Sequence, residues 1–183
     1  STRAALGLAA AAEFSAPFLF GVAVARTIGA DIVEPATISI NVILAALIAA
    51  ITWNLLTWWL GIPSSSSHAL IGGILGAVIV GAGLDAIQLA GIEKVLLALF
   101  LSPLIGLLGG YLFTKLVYFL VQGATPRINW FFKRSQIISA LGLAFSHGSN
   151  DAQKTMGIIT LGLVSSGVLE SFHVPLWVVA VSA

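Results

Sequence analysis

The sequence has no cysteine, so disulfides, thiolate chemistry and cysteine-ligated metals are excluded from the outset. It is also poor in charge. Asp, Glu, Lys and Arg make up 8% of its 183 residues and nearly cancel, leaving a net charge of +1. A soluble globular domain carries about 25% charged residues, and a chain so short of them cannot cover a water-facing surface. The same shortage removes the basic footprint that nucleic acid requires, so no nucleic-acid partner is expected. The first residues, Ser1–Ala12, lack the charged stretch, apolar stretch and cleavage site of a signal peptide. The chain starts without Met and ends in Val174–Ala183, an apolar run of about half a membrane span, and it reads as a fragment of a longer protein.

What is present is apolar. Hydrophobic residues make up 58% of the chain and its mean hydropathy is +1.06. They gather in runs at roughly Ala4–Ala25, Ala36–Leu60, Ala69–Leu84, Val95–Leu120, Ile137–Val164 and Val174–Ala183. At 1.5 Å per residue a helix needs about 20 residues to cross the hydrocarbon core, and four of these runs suffice. The expected fold class is therefore all-α, a polytopic membrane protein with lipid as its solvent. Ala69–Leu84 is short and glycine-rich, which suits close helix packing. Lys115, Arg127, Lys133 and Arg134 surround one acid-free connection, which the positive-inside rule makes cytoplasmic, with Arg3 on the same side. Ala36–Leu84 then fits either two full spans or one re-entrant hairpin. The segment 121–136 is the sole linker-like stretch, and it separates residues 1–120 from 137–183.

Of the fifteen Asp, Glu, Lys and Arg residues, twelve lie in or beside connections; Glu13, Asp151 and Lys154 do not. Ionisable groups at membrane depth are costly and face a cavity or a partner. Two of the three fall in Ser146-His147-Gly148-Ser149-Asn150-Asp151-Ala152-Gln153-Lys154-Thr155, a polar block that interrupts an apolar run. Such a block predicts a helix broken near His147–Asp151, whose freed backbone and side chains hold an ion or substrate near the midplane. The bland alternative is a loop or a patch binding a neighbouring helix. A second block, Gly61-Ile62-Pro63-Ser64-Ser65-Ser66-Ser67-His68, places Pro63 where a helix first turn tolerates it. Hydroxyls and free N–H groups there suit an anion, and the alternative is an ordinary Ser-rich surface loop. Asn54 either reaches a site or makes a helix–helix hydrogen bond. Two other classes fit less well. An intramembrane hydrolase would use a Ser, His68 or His147, and Asp151, but no Gly-x-Ser-x-Gly elbow is present. A cation channel would use the same histidines and Asp151, at spacings typical of no metal site. Neither explains why hydroxyls dominate both blocks.

Ala144-Phe145-Ser146-His147-Gly148-Ser149-Asn150-Asp151-Ala152-Gln153-Lys154-Thr155-Met156-Gly157 resembles the second-repeat signature of the inorganic phosphate transporter (PiT) family. Pro63-Ser64-Ser65-Ser66-Ser67-His68 resembles that family's hairpin motif. The resemblance implies two inverted repeats, each with an Asn-Asp-type motif and a Ser/Thr-rich hairpin tip. It also implies secondary active transport of inorganic phosphate across a cell membrane, coupled to sodium or protons, with no cofactor and no enzymatic activity. A homodimer is among the assemblies it allows. Substrate-binding residues would be Ser64, Ser65, Ser66, Ser67, His68, Ser149, Asn150 and Thr155. Ion-coupling residues would be Asp151, Lys154, Glu13 and His147, with Asn150 and Asp151 as sodium ligands. Lys154 stands where the signature has its second Asn, which weakens the sodium site and leaves room for proton coupling. The resemblance places the missing half of each repeat's site outside this chain.

Overall fold

The computed structural model describes residues 2–183. They form helices α1 (Thr2–Phe20), α2 (Ala23–Arg26), α3 (Ile40–Trp59), α4 (Ser66–Gly81), α5 (Leu89–Leu120), α6 (Ile128–Ser165) and α7 (Leu176–Ser182). Among the described residues, three helices, α1, α3 and α5, are long and apolar enough to cross a membrane. The expected all-α class holds.

α1 and α6 run side by side in the same direction. Ala4 and Ala5 share a groove with Lys133 and Gln136, Glu13 lies against Gly148, and Ala25 against Gly157. This pairing puts Arg3 at the same end as Lys133, as the loop charges require. Glycine makes the approach possible. A Cβ on Gly148 would stand 2.5 Å from Glu13 Cα and O, and one on Gly157 would stand 2.8 Å from Ala25 O. α7 folds back to pack Val178 and Val179 on Ala25, Ala152 and Met156.

α3 and α4 form a hairpin, pressed together where Gly73 meets the Ala46 carbonyl at 2.5 Å from an ideal Cβ. Its open ends are tied by a bridge between Val33 and Ile87, with Glu34 N–H donating to Ala86 O and Gln88 N–H to Ile32 O. Val42, Ala46, Ile74 and Val78 pack with Leu161 of α6 in the main core. The hairpin tip meets α6 at Lys154, 26 residues after Ile128, so about 39 Å of α6 continues beyond it. The hairpin therefore ends part-way along α6. Gly91 of α5 is buried against the Asp31 backbone and Ile92 and Val95 pack on the core; beyond these first turns the helix is mostly apolar and exposed.

Several expectations are corrected. α6 is not broken near His147–Asp151; it is helical from Ile128 to Ser165. The polar block stays helical because its side chains pair at helical spacing: His147 with Asp151, Ser149 with Gln153, and Asp151 with Lys154. The break lies in the partner segment, at Gly21 (φ 74°) and Val22 between α1 and α2, inside the run read as one span over Ala4–Ala25. The linker shrinks to residues 121–127, since 128–136 already belong to α6. Pro63 precedes α4 instead of opening it.

Candidate functional site

The hairpin tip is shaped by its turn. Gly61, at φ 67°, donates to Trp58 O at 3.1 Å and Ile62 to Thr57 O at 2.9 Å, which closes α3 with a Schellman cap that glycine adopts without strain. Ser64 Oγ donates to Asn54 Oδ1 at 3.4 Å, so Asn54 braces the turn from within α3. Ser65 caps α4, its Oγ accepting from His68 N–H at 3.4 Å. The N–H groups of Ser66 and Ser67 fall in the first turn, where no intrahelical acceptor exists and the helix dipole is positive.

α6 meets this tip with a row of polar side chains. Lys154 Nζ donates to Ser66 Oγ at 3.3 Å and lies 2.6 Å from Asp151 Oδ1. Asp151 Oδ2 is 3.5 Å from His147 Nε2, and His147 Nδ1 is 3.5 Å from Glu13 Oε1. Glu13, His147, Asp151, Lys154 and Ser66 thus form one connected line from α1 to the hairpin. Lys154 is its most enclosed member, with 13% of its side chain exposed against 64% for His147. Beside this line is a cavity of about 330 Å³, roughly ten times a water's share of the liquid. Ser67, Asn150, Lys154, Thr27 and Lys94 line it, with Ile28, Ile71 and Val95 as apolar walls. A mostly apolar cleft with a few convergent polar groups suits a small polar ligand.

Not every candidate joins this cavity. His68 lines a separate cleft with Ala49, Trp53 and Gly72. Ser149 is buried and accepts from Gln153 Nε2 at 3.1 Å, serving the packing of α6. Thr155 is exposed and absent from the lining. Among the described residues no serine hydroxyl is hydrogen-bonded to a histidine ring, and no group of three His, Cys, Asp or Glu side chains could hold a metal ion.

Three residues beyond the sequence-based candidates matter. Gln153, 4% exposed, accepts from Val24 N–H at 2.7 Å and so satisfies a donor freed by the break at Gly21. Thr27 and Lys94 line the cavity, and both also bind Asp31, Thr27 Oγ1 at 3.1 Å and Lys94 Nζ at 2.9 Å; Arg26 lies 3.7 Å from the same carboxylate. Burial pushes the Asp31 carboxyl up, but the Lys94 and Thr27 hydrogen bonds and the charges of Lys94 and Arg26 outweigh it and hold the group below its ordinary value. Gln153 stood inside the polar block. Lys94 read as loop charge, because the start of α5 at Leu89 is not marked by an apolar run.

The profile of the phosphate transporter family matches residues 1–128 and 121–183. A probable low-affinity inorganic phosphate transporter of Bacillus subtilis (strain 168) is 45% identical over 180 residues, covering 96% of this chain and 54% of the relative. Its counterpart in Rhizobium meliloti (strain 1021) is 46% identical over 169 residues, covering 91% and 51%. The low-affinity inorganic phosphate transporter PitB of Escherichia coli (strain K12) is 36% identical over 152 residues, covering 70% and 30%. The chain thus spans about half the length of the first two relatives. A solved structure described as the sodium-dependent phosphate transporter shares the fold, with a TM-score of 0.73 at 23% identity over 98% of this chain and 63% of that one.

Proposed function

The chain belongs to the phosphate transporter family and is a multi-pass protein of the cell membrane; from that premise we propose that the hairpin tip and the polar face of α6 form part of the route by which the whole protein moves inorganic phosphate. One observation carries the reading: the Lys154 ammonium reaches Ser66 and Asp151 together, joining the two motifs at one point. Phosphate oxygens would accept from the Ser66 and Ser67 hydroxyls and N–H groups at the N-terminus of α4, and from Lys154. Asn150, in the same cavity, would donate its amide. Residues 1–120 would close the first inverted repeat and 137–183 would open the second.

We propose further that the movement is coupled to protons. Lys154 places a fixed positive charge 2.6 Å from Asp151, where a bound sodium ion would otherwise neutralise the carboxylate. His147 bridges Glu13 and Asp151, linking α1 to the carboxylate beside Lys154. This gives a path from α1 to the phosphate-binding tip. The sodium dependence of the solved neighbour belongs to that protein, whose 23% identity supports likeness of fold alone.

The test is radiolabelled phosphate uptake by the whole protein in liposomes. Each hydrogen bond to a charged ligand is worth about 1.5–3 kcal/mol, so Ser66→Ala should raise the phosphate KM roughly tenfold or more. Parental KM in that variant would remove the hairpin from the anion site. Uptake should follow an imposed pH gradient without sodium, and Lys154→Asn should create sodium dependence. Uptake driven by sodium at uniform pH, and indifferent to a proton gradient, would reject proton coupling. Competition by sulfate and other tetrahedral oxyanions measures selectivity and separates carrier from hydrolase.

A further inference from the structure

Resting on that reading, we propose that Lys94 is a second cationic contact for the transported oxyanion, and that Asp31 competes with the anion for it. The cavity beside the hairpin has a lysine on each side. Lys154 comes from α6 near the tip, and Lys94 from the second turn of α5, near the tied ends of the hairpin. Their circumstances differ. Lys154 is enclosed and matched by Asp151 alone, so that pair is neutral. Lys94 is 62% exposed and shares the Asp31 carboxylate with Arg26, and Thr27 also donates to it. Asp31 thus has two cations within ion-pair distance, one more than it needs. Glu34 does not line the cavity and accepts from Gln88 Nε2 at 3.0 Å. Glu93 and Asp85, the other acids on these segments, are exposed and do not line the cavity.

Release of Lys94 from Asp31 is made easy by this surplus. The carboxylate keeps Arg26 and the Thr27 hydroxyl, so it is not left bare when the lysine turns. An incoming tetrahedral oxyanion would meet the Lys94 ammonium between apolar walls formed by Val95, Ala98 and Ile28, where charge attraction is stronger than in open water. Lys94 would then hand the anion toward Lys154, Ser67 and Asn150. The Asp31 pair would keep the entry from holding phosphate too tightly to release it.

Uptake kinetics of the whole protein in liposomes, with inorganic phosphate as the probe, test this. Lys94→Gln should raise KM roughly three- to tenfold, a half-exposed contact being worth less than a buried one, with maximal rate little changed. Lys94→Arg should restore most of the affinity. Asp31→Asn, which frees Lys94, should lower KM. The opposite signs of the last change and the first are the diagnostic, because a purely structural ion pair would weaken uptake alike when either partner is removed. Unchanged KM in Lys94→Gln, or the same direction of shift in Lys94→Gln and Asp31→Asn, overturns the proposal. Ser66→Ala run in parallel separates the two readings. If it weakens phosphate affinity while Lys94→Gln does not, the hairpin site stands and only the role of Lys94 fails. If neither variant alters KM, the site itself is misplaced.

Discussion

Gly148→Ala is the sharpest probe of the α1–α6 seam. The added methyl would stand 2.5 Å from Glu13 Cα and O and 2.9 Å from its carbonyl carbon, where ordinary contact begins at 3.4 Å. The atoms in the way are backbone, so no rotamer relieves the clash and the two helices must separate by about 0.9 Å. Overpacking of this kind costs about 1–3 kcal/mol. The substitution also removes a mid-helix glycine, which by itself stabilises a helix by about 1 kcal/mol. Gly142→Ala on the same helix isolates the clash, since nothing lies within 4 Å of its Cβ. The two variants share the propensity gain, and a domain of this size shifts its Tm by roughly 2–4 °C per kcal/mol. Gly148→Ala should therefore melt roughly 2–12 °C below Gly142→Ala in detergent. The same displacement would carry Glu13 Oε1 beyond 4 Å from His147 Nδ1, now 3.5 Å away, and should slow phosphate uptake. Equal melting temperatures for the two alanine variants would refute the close approach and, with it, the placing of Glu13 in the polar line.

Gln153→Leu should lower Tm by roughly 2–12 °C, because it strips the acceptor from Val24 N–H and the donor from Ser149, and a buried unsatisfied group costs about 1–3 kcal/mol; a parental Tm would mean the break at Gly21 needs no such support. Gly21→Ala should cost about 1–2 kcal/mol from backbone strain alone, since its φ is 74° and the space around it is open; an unchanged Tm would contradict the left-handed turn. Asp31, whose folded carboxyl lies below the ordinary 3.8, contributes stability that is fully present above 3.8 and is lost as pH falls through the lower folded value. The gap in Tm between the parent and Asp31→Asn should thus be constant near neutral pH and close in that acidic window; a gap that persists to lower pH would assign the loss to packing instead.

The composition alone decided the solvent and the fold class. With 58% hydrophobic and 8% charged residues the chain must bury its surface in lipid, and a lipid-facing backbone has to satisfy itself as helix. The two polar blocks announced themselves by the same physics, because groups such as Asp151, Lys154 and Ser66 are costly at membrane depth unless they meet partners. What the sequence could not say is which partners. It suggested a break at His147–Asp151, where polar residues interrupt an apolar run, yet α6 continues through them because their side chains pair at three- and four-residue spacing. The break fell instead at Gly21, past the polar residues Glu13 and Ser15 of its run, where a buried glutamine 132 positions later accepts the freed Val24 N–H. The contact of Ser66 with Lys154 spans 88 positions and that of Asp31 with Lys94 spans 63. Local pattern fixes which residues must find a partner; which partner they find depends on how glycine-lined helices pack, and that is settled only when the chain is folded.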